Sequence, residues 1–382
     1  MLKKSISILL SIIFLFNVQI FAIEPEEMPL DEKIGQMLCL DFRKWENEGT
    51  SKPVTEINDD IKRIISDYHI GTVILFKENF VDKEQAKTLI NDLKKAATDS
   101  NNLPLIIDVD QEGGRVERFA FGRSKLKNNA DIKTDEEAFN KGATISKELK
   151  ELGINCDAAP VIDVNSNPDN PVINNRSFSD NPDIVSEMGE QFVKGLHSND
   201  IITTGKHFPG HGDTNTDSHL SLPTLDKTLD DLYQTELKPF IKLSKVVDMI
   251  MTAHISLPKI ETQTIKSKKD GKEIFLPATL SKTILTDLLR KEIGFNGVII
   301  TDAMNMKAIS DHIGQEEATK MAISAGADII LMPVTIQNKN DISKLESLIS
   351  YLKEAIKNNE ISEKQINESI KRIIKLKNNF CQ

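Results

Sequence analysis

Cysteine is scarce in this 382-residue sequence, which contains Cys39, Cys156 and Cys381. An odd number of widely separated cysteines does not form a disulfide framework, even in a compartment that permits disulfides. Cys39 and Cys156 lie within apolar runs and are expected to be small core residues, whereas Cys381 is expected at a frayed terminus. The sequence therefore predicts a fold without disulfides.

The signatures of several function classes are also missing. No stripe rich in Lys and Arg occurs and the formal net charge is −10, which argues against nucleic acid as the main partner. Gly113 and Gly114 do not fit the G-x-G-x-x-G dinucleotide motif, and neither a P-loop nor the G-x-S-x-G elbow of serine hydrolases is present. With 39% hydrophobic and 28% charged residues, the composition is that of a globular protein.

Residues 1–22 have the pattern of a secretory signal peptide. Lys3 and Lys4 precede an apolar stretch, residues 6–16, and the small residue Ala22 follows. The stretch is shorter than the ~20 residues that a spanning helix needs, so an uncleaved membrane anchor is the less favoured alternative. We expect export to the periplasm or the extracellular space, with no stable membrane insertion after cleavage. The mature protein is then residues 23–382, with its core at residues 30–376.

Short apolar runs recur along the chain and predict strands that are buried on both faces. The eight runs are residues 36–42, 72–76, 105–109, 154–160, 201–204, 249–253, 298–301 and 328–332. Segments with helical periodicity lie between many of them. This alternation favours an α/β fold, a (β/α)8 TIM-type barrel forming a single catalytic domain, with a doubly wound open sheet as the alternative.

Three helices and one insertion can be placed more closely. The helix over 134–152 begins with a Thr134…Glu137 capping box and ends at Gly153, and a second helix covers 281–292. The last helix begins with a Ser362…Gln365 box and carries one apolar stripe, composed of Ile366, Ile370, Ile373 and Ile374. Residues 263–273 are rich in Lys, with Asp-Gly at the turn, and predict an exposed hairpin or loop.

Polar side chains follow four of the predicted strands, where a barrel collects its chemistry. They are Asp110 after the third run, the segment 206–212 after the fifth, His254 after the sixth and Asp302 after the seventh. Each alone could be a cap or a satisfied polar group, but their coincidence on one rim points to a site. Beside Asp110, Glu112 and Arg115 are expected to form an ion pair that closes the rim.

The segment 206–219 contains three of the seven histidines and allows three interpretations. His207, His211 and His219 resemble metal ligands only loosely, because the intervening Pro and Gly residues prevent a helix that would align them. A polar loop with internally bonded histidines is the second interpretation. The third is acid–base chemistry, since Asp217 can orient the imidazole of His219 and raise its basicity.

Three motifs together resemble one enzyme family. They are DQEGGRV at residues 110–116, KHFPGHG at 206–212 followed by DSH at 217–219, and TDAMNM at 301–306. This set is similar to the bacterial β-N-acetylglucosaminidases of glycoside hydrolase family 3, in a single-domain form, and the similarity runs from about residue 30 to 376. The histidine segment is the specific element, because branches acting on glucosides or xylosides generally lack it.

The resemblance implies a role for each matching residue. Asp302 corresponds to the nucleophile that forms a covalent glycosyl-enzyme, and His219 to the acid/base with Asp217 as its partner. Five residues match the positions that hold the sugar hydroxyls and the acetamido group: Asp110, Arg118, Arg176, Lys206 and His207. No metal or other cofactor is implied. One departure is Ala303, where many relatives carry a second Asp, although other members of the branch also have Ala.

The implied activity is that of an exported retaining exo-glycosidase. It would remove terminal β-linked N-acetylglucosamine from peptidoglycan fragments or chito-oligosaccharides, so its partner is a carbohydrate. A β-glucosidase of the same family and a catalytically silent sugar-binding barrel are the alternatives. Residues 208–222, with Gly210 and Gly212 as hinges, are expected to move between open and closed states.

Overall fold

The computed structural model describes residues 23–100 and 102–381, and the predicted signal peptide, residues 1–22, lies outside the described residues. The strands are β1 (Leu38–Asp41), β2 (Lys44–Asn47), β3 (Thr50–Pro53), β4 (Thr72–Leu75), β5 (Ile106–Val109), β6 (Cys156–Asp157), β7 (Ile202–Phe208), β8 (Met249–Thr252), β9 (Thr264–Lys266), β10 (Glu273–Phe275), β11 (Val298–Ile300) and β12 (Ile330–Leu331). The α-helices are α1 (Leu30–Gln36), α2 (Asp59–Asp67), α3 (Lys83–Thr98), α4 (Asp135–Leu152), α5 (Pro182–His197), α6 (Leu229–Gln234), α7 (Leu237–Leu243), α8 (Lys307–Ser310), α9 (Gln315–Ala325), α10 (Ile342–Lys357) and α11 (Glu363–Phe380). A π-helix covers Thr283–Glu292, and short 3₁₀ turns cover Pro25–Glu27, Lys77–Asn79, Asn129–Asp131, Asn174–Arg176, Ala278–Leu280 and Lys339–Asp341.

Eight parallel strands form two four-stranded sheets, in the orders β12-β1-β4-β5 and β11-β8-β7-β6. Seven of the eight predicted apolar runs contain one of these strands, and the run 201–204 covers only the start of β7. All residues of the eight strands except Asp41 are buried. Burial on both faces explains why the runs are continuous rather than alternating. Apolar side chains of strands and helices pack into one extended core. The predicted α/β class with parallel strands is confirmed.

The two sheets are hydrogen-bonded to each other along their outer edges. Ala158 N next to β6 donates to Val109 O of β5 at 2.8 Å, and Thr301 N after β11 donates to Ile329 O before β12 at 3.0 Å. The pairing between β11 and β12 is parallel. The carboxyl ends of the strands of both sheets therefore lie on one side of the molecule.

For two of the predicted helices, α4 and α11, the predicted end signals and apolar stripe can be compared with the structure. Thr134 Oγ1 accepts a hydrogen bond from Glu137 N at 3.2 Å at the start of α4, and Gly153 ends the helix with φ of +85°, as predicted. The other half of the predicted box is wrong, because the Glu137 carboxylate accepts Lys133 N and not Thr134 N. The isoleucine stripe of α11 is buried, as predicted. The predicted Ser362…Gln365 box is wrong, because the Ser362 side chain makes no cap and the Gln365 amide donates to Ile323 O instead.

The hairpins and the cysteines test four further expectations, of which one is corrected. Strands β9 and β10 pair antiparallel and confirm the hairpin predicted at 263–273, whereas the β2–β3 hairpin was not predicted. Cys39 and Cys156 are buried thiols, as expected. Cys381 is not frayed: its sulfur accepts a hydrogen bond from Asn155 Nδ2 at 3.3 Å. None of the helices in residues 23–100 and 102–381 combines the length and the apolar character needed to cross a membrane.

Candidate active site

A cavity of about 580 Å³ opens at the carboxyl ends of the parallel strands. Strands of both sheets contribute to its wall through side chains near their carboxyl ends: Ile74, Lys206, Met251 and Leu331. Asp110 directly follows β5, and Asp302 lies two residues after β11. This is the position at which parallel α/β folds place ligand and catalytic groups. Seven of the eight predicted site residues line the cavity: Asp110, Arg118, Arg176, Lys206, His207, His219 and Asp302. The eighth, Asp217, lies behind His219.

Asp110 is held between two cations. Arg118 Nη2 donates to Asp110 Oδ2 at 2.7 Å, and Lys206 Nζ donates to Asp110 Oδ1 at 2.8 Å. Burial alone would raise the pKa of Asp110, but Lys206 and Arg118 hold that pKa well below its usual range. Asp110 is therefore an ionised hydrogen-bond acceptor in a fixed orientation.

Glu112 is the second buried carboxylate of the cavity wall. Arg176 binds it through two hydrogen bonds, Nε to Oε2 at 2.9 Å and Nη2 to Oε1 at 2.7 Å, and Lys206 Nζ lies 2.7 Å from Oε1. Burial raises the pKa of Glu112, but Arg176 and Lys206 outweigh it and lower the pKa to about 2. The predicted Glu112–Arg115 pair is wrong: Arg115 is exposed and its guanidinium donates to Pro171 O.

The histidine segment, here residues 206–222, is fixed to the sheet edge by Asp163. This carboxylate accepts His207 N at 3.1 Å and His207 Nδ1 at 2.7 Å on one oxygen, and His211 N at 2.6 Å on the other. Burial would raise the pKa of Asp163, but His207 lowers it below its usual value. Gly212 fits only because it has no Cβ, which would lie 1.8 Å from Val164 O. Sequence reasoning missed Asp163, which lies in an apolar run without a motif.

His211 is internally bonded, as one of the three interpretations held. Its Nδ1 contacts Thr214 Oγ1 at 2.8 Å and its Nε2 contacts Ser218 Oγ at 3.0 Å. Burial lowers the pKa of His211 to about 4, with a further contribution from the neighbouring His207, so its ring is neutral near pH 7. Both ring nitrogens are occupied, and no group of His, Cys, Asp or Glu side chains arranged to hold a metal occurs among residues 23–100 and 102–381.

Asp217 and His219 form the predicted dyad. His219 Nδ1 and His219 N both lie 2.8 Å from Asp217 Oδ1, so the carboxylate orients the imidazole and leaves Nε2 unoccupied by this pair. Burial would raise the pKa of Asp217, but the hydrogen bonds from His219 lower it. The His219 side chain is 63% exposed and lines the cavity, so a ligand can reach it.

Asp302 presents a carboxylate to the cavity from the end of β11. Its Oδ1 accepts Ala303 N at 2.7 Å, which fixes the side chain against its own backbone. Burial would raise the pKa of Asp302, but His254 and His207 hold the pKa below its usual value. His254 is itself buried, with Nε2 donating to Ala303 O at 3.0 Å and Nδ1 against Thr279 Oγ1 at 2.8 Å. His254 therefore positions the segment that carries Asp302 and lies outside the cavity lining.

Arg43 is a cavity residue that sequence reasoning missed. It follows β1, pairs with Asp41 at 2.9 Å, and its guanidinium lies 3.5 Å from the centre of the Phe76 ring. Arg118 lies 5.1 Å from the same ring centre. Its position in the sequence could have indicated a cavity residue, because Arg43 follows the first apolar run and residues that follow strands line such cavities.

Comparisons with known proteins give matches over most of the chain. The family model "Glycosyl hydrolase family 3 N terminal domain" matches residues 29–376. Beta-hexosaminidase A of Pseudoalteromonas piscicida is 40% identical over 375 residues, covering 93% of this chain and 62% of that protein. Beta-hexosaminidase of Idiomarina loihiensis is 35% identical over 285 residues, covering 73% of this chain and 81% of that protein.

Two solved structures have the same fold. The glycoside hydrolase family 3 β-N-acetylglucosaminidase of Paenibacillus sp. FPU-7 gives a TM-score of 0.81 at 35% identity, covering 92% of this chain and 62% of that one. The β-N-acetylglucosaminidase of Thermotoga maritima gives 0.72 at 26% identity, covering 90% and 66%. The chain thus spans less than two thirds of the length of several relatives that it matches.

Proposed function

Since the chain belongs to glycosyl hydrolase family 3, we propose that it is a retaining β-N-acetylhexosaminidase that removes terminal, non-reducing β-linked N-acetylglucosamine. One observation carries the proposal: an ionised Asp302 and His219, which is held by Asp217 behind it, line a single cavity. Names of the related proteins support the same activity. Peptidoglycan fragments and chito-oligosaccharides are the substrates proposed, and residues 1–22 are proposed to direct export.

The proposed architecture is a closed (β/α)8 barrel. Hydrogen bonds between β5 and β6 and between β11 and β12 support it, because they join the edges of the two four-stranded sheets. Around the two joined sheets the strands lie in the order β1, β4, β5, β6, β7, β8, β11, β12, which is their order along the chain, as in a barrel. The cavity then lies at the carboxyl-terminal mouth, and Asp302 and His219 face it from separate loops.

The proposed reaction has two steps. In the first, Asp302 attacks the anomeric carbon while His219 Nε2 donates its proton to the departing oxygen, giving a covalent glycosyl-enzyme and a neutral leaving group. In the second, His219 takes a proton from water, which attacks the anomeric carbon and releases Asp302. Asp217 holds Nδ1–H throughout. As the acid, His219 is an imidazolium with a proton on each ring nitrogen, and it becomes neutral when it gives up Nε2–H. It places no negative charge beside the nucleophile, whereas a second carboxylate there would raise the nucleophile's pKa.

Five polar residues are proposed to hold the sugar at the bottom of the cavity. The carboxylate of Asp110 accepts hydrogen bonds from hydroxyl groups, whereas Lys206, Arg118, Arg176 and His207 donate to hydroxyl and acetamido oxygens. Ion pairs with Asp110 fix Arg118 and Lys206, and an ion pair with Glu112 fixes Arg176, before substrate arrives. Little reorganisation is therefore needed on binding.

The test is hydrolysis of 4-nitrophenyl β-N-acetylglucosaminide by residues 23–382. We expect Asp302→Ala to lose about 10³-fold or more in kcat, because the covalent step is removed. His219→Ala should lose about 10²–10⁴-fold in kcat/KM towards substrates with poor leaving groups. With the good leaving group 4-nitrophenolate, His219→Ala should show a burst, and the protein mass should increase by one N-acetylhexosamine residue.

Asp169→Ala is the matched control, because Asp169 is exposed and its side chain has no hydrogen bond or ion pair in the described residues. It should behave as wild type. Preference for the 4-nitrophenyl glucoside would favour the β-glucosidase alternative. Binding of N-acetylglucosamine without turnover would favour the silent sugar-binding protein, and full activity of Asp302→Ala would contradict the assigned nucleophile.

A further inference from the structure

The active-site cavity carries positive charge in a molecule that is negative overall. Its wall includes three carboxylates, Asp110, Glu112 and Asp302, and five cations, Arg43, Arg118, Arg176, Lys206 and Lys307. The formal net charge of the whole chain is −10. An excess of cations at one cavity of an acidic protein favours a ligand that carries negative charge.

Four of the five cations are already paired with carboxylates of the protein. The pairs are Arg43 with Asp41, Arg118 with Asp110, Arg176 with Glu112, and Lys206 with both Asp110 and Glu112. Lys307 differs, because its ammonium group makes neither a hydrogen bond nor an ion pair with any part of the chain that the structure describes. Lys307 is therefore a lining cation whose ammonium group has no bonded carboxylate in the described residues. Asp311, the carboxylate that interacts with its charge, is bonded to Lys269 instead.

Lys307 lies at the mouth of the cavity, on the side of the proposed acid/base. It is the exposed first residue of α8, and the next residue, Ala308, donates its N–H to Ser218 O at 3.3 Å. Ser218 directly precedes His219. An acid/base must face the oxygen of the leaving group, so the departing part of the substrate passes beside the residues that adjoin His219. The sugar that stays on the enzyme instead occupies the bottom of the cavity, among Asp110 and Lys206.

We propose that Lys307 is a specificity-determining residue that binds a carboxylate on the leaving group. This inference rests on the proposed function and selects among its substrates, because a chito-oligosaccharide leaving group is neutral whereas a sugar acid or a peptide-bearing sugar carries a carboxylate. The lysine reaches the ligand on a flexible stem and adds one charge-assisted hydrogen bond at the mouth of the site.

The experiment compares two disaccharides that differ in one charge: N-acetylglucosaminyl-β-1,4-N-acetylmuramic acid and its methyl ester. We expect wild type to prefer the acid, and Lys307→Met to lower kcat/KM for the acid by about tenfold while the ester changes less than about twofold. Lys307→Arg should restore most of the preference, and the preference should weaken at high salt. Lys245→Met is the matched control, an exposed lysine that precedes β8 at the opposite end of the strands.

The outcomes separate this inference from the proposed function. Equal losses for acid and ester in Lys307→Met, or no loss for either, would overturn the inference while hydrolysis of both substrates upheld the function. A preference for inorganic phosphate as glycosyl acceptor that disappears in Lys307→Met, with acid and ester used equally, would also overturn it, because the lysine would then bind an anionic acceptor. Absence of any N-acetylglucosaminide turnover by wild type would overturn both proposals.

Discussion

At the scale of single residues, the part of the cavity wall around Asp110 and Glu112 is a network of ionised side chains whose charges compensate one another. Asp110 and Glu112 share Lys206, and each also has its own arginine. Charges this deeply buried are expensive to desolvate and are retained only when they are well paired. The network therefore costs stability unless it is complete, and its function is to hold donors and acceptors in fixed positions for a polar ligand.

Glu112→Gln should make the protein less stable at neutral pH and less sensitive to acid. The folded pKa of Glu112, about 2, is below its ordinary value of 4.5, so its carboxylate stabilises the fold above pH 4.5. That stabilisation is lost as pH falls from 4.5 through 2, because in this interval the unfolded chain takes up a proton that the folded protein does not. We expect the free energy of unfolding in urea to fall by about 3 kcal/mol more for wild type than for Glu112→Gln across this interval.

Glu316→Gln serves as the control for that measurement. Glu316 is an exposed carboxyl on α9 without a hydrogen bond or ion pair in the described part of the chain, so its replacement should change stability by less than about 0.5 kcal/mol. Parallel pH profiles for wild type and Glu112→Gln would contradict the assignment of acid sensitivity to Glu112.

The sequence predicted the charged residues of the cavity wall, but not all of their ion-pair partners. Asp110, Lys206 and Asp302 could be predicted, because each directly follows or ends an apolar run at the same edge of the sheets. The partner of Glu112 could not, because Arg176 comes from a loop far along the chain and only the folded positions of two loops bring them together. Adjacency in sequence favoured Arg115 instead, and that choice was wrong.

At the scale of elements, the histidine segment has two differently held halves. Residues 207–214 are mostly buried and are bonded to Asp163 and to Asn170, whose Nδ2 donates to His211 O at 2.8 Å and to Thr214 O at 3.0 Å. Residues 215–222 are mostly exposed or half-buried and carry the Asp217–His219 dyad. The proposed acid/base therefore lies on the less constrained half of the segment, and the expected opening motion belongs to that half.

Asn170→Ala should make residues 207–214, the buried half of the histidine segment, more mobile. Removing the amide takes one of the donors from His211 O, which keeps Thr214 Oγ1 at 3.0 Å, and removes one donor to Thr214 O at 3.0 Å. It also frees the turn at 170–173, where Asn170 Oδ1 accepts Val172 N and Ile173 N. In wild type, hydrogen exchange should be slow for residues 208–214 and faster for 215–222, and N-acetylglucosamine should slow the second group. In Asn170→Ala we expect fast exchange across 208–222 and a fall in kcat of about 10-fold or more, because the dyad is displaced.

Asn215→Ala is the control for that experiment, since Asn215 lies on the exposed half and its side chain is hydrogen-bonded, within the described part of the chain, to Asn167 Nδ2 alone. It should leave exchange at 208–214 unchanged. Protection of residues 208–222 equal to that of the strands, with and without ligand, would contradict a mobile acid/base half.

The strands could be predicted at this scale because burial on both faces produces continuous apolar runs. Elements at the surface left weaker signals. The β2–β3 hairpin is largely exposed, so its residues show no apolar pattern, and the π-helix at Thr283–Glu292 has the same apolar residues as an ordinary helix. The Ser362 cap failed because Gln365 finds a tertiary partner on α9.

At the scale of the whole molecule, the junction between the two sheets is held by the last helix. Asp328, just before β12, accepts Ile299 N of β11 at 2.8 Å and Ser369 Oγ of α11 at 2.7 Å. The same carboxylate pairs with Arg290 from the π-helix and with Arg372 of α11 at 2.8 Å. One buried carboxylate thus joins both sheets, the π-helix and α11, at the end of the strands opposite the cavity.

Asp328→Ala should therefore destabilise the fold without changing the chemistry. The substitution removes the charge that compensates Arg290 and Arg372, and breaking such a buried pair costs about 3–5 kcal/mol in the free energy of unfolding. Asp311→Ala, which removes a partly exposed pair with Lys269, should lower the free energy of unfolding far less, because solvent screens that pair. Urea unfolding gives the two energies. Because Asp328 lies opposite the cavity, kcat of the folded variant, measured well below its unfolding transition, should stay within about twofold of wild type. A large loss of kcat in fully folded protein would instead mean that the junction between the sheets sets the geometry of Asp302, which follows β11 on the other side.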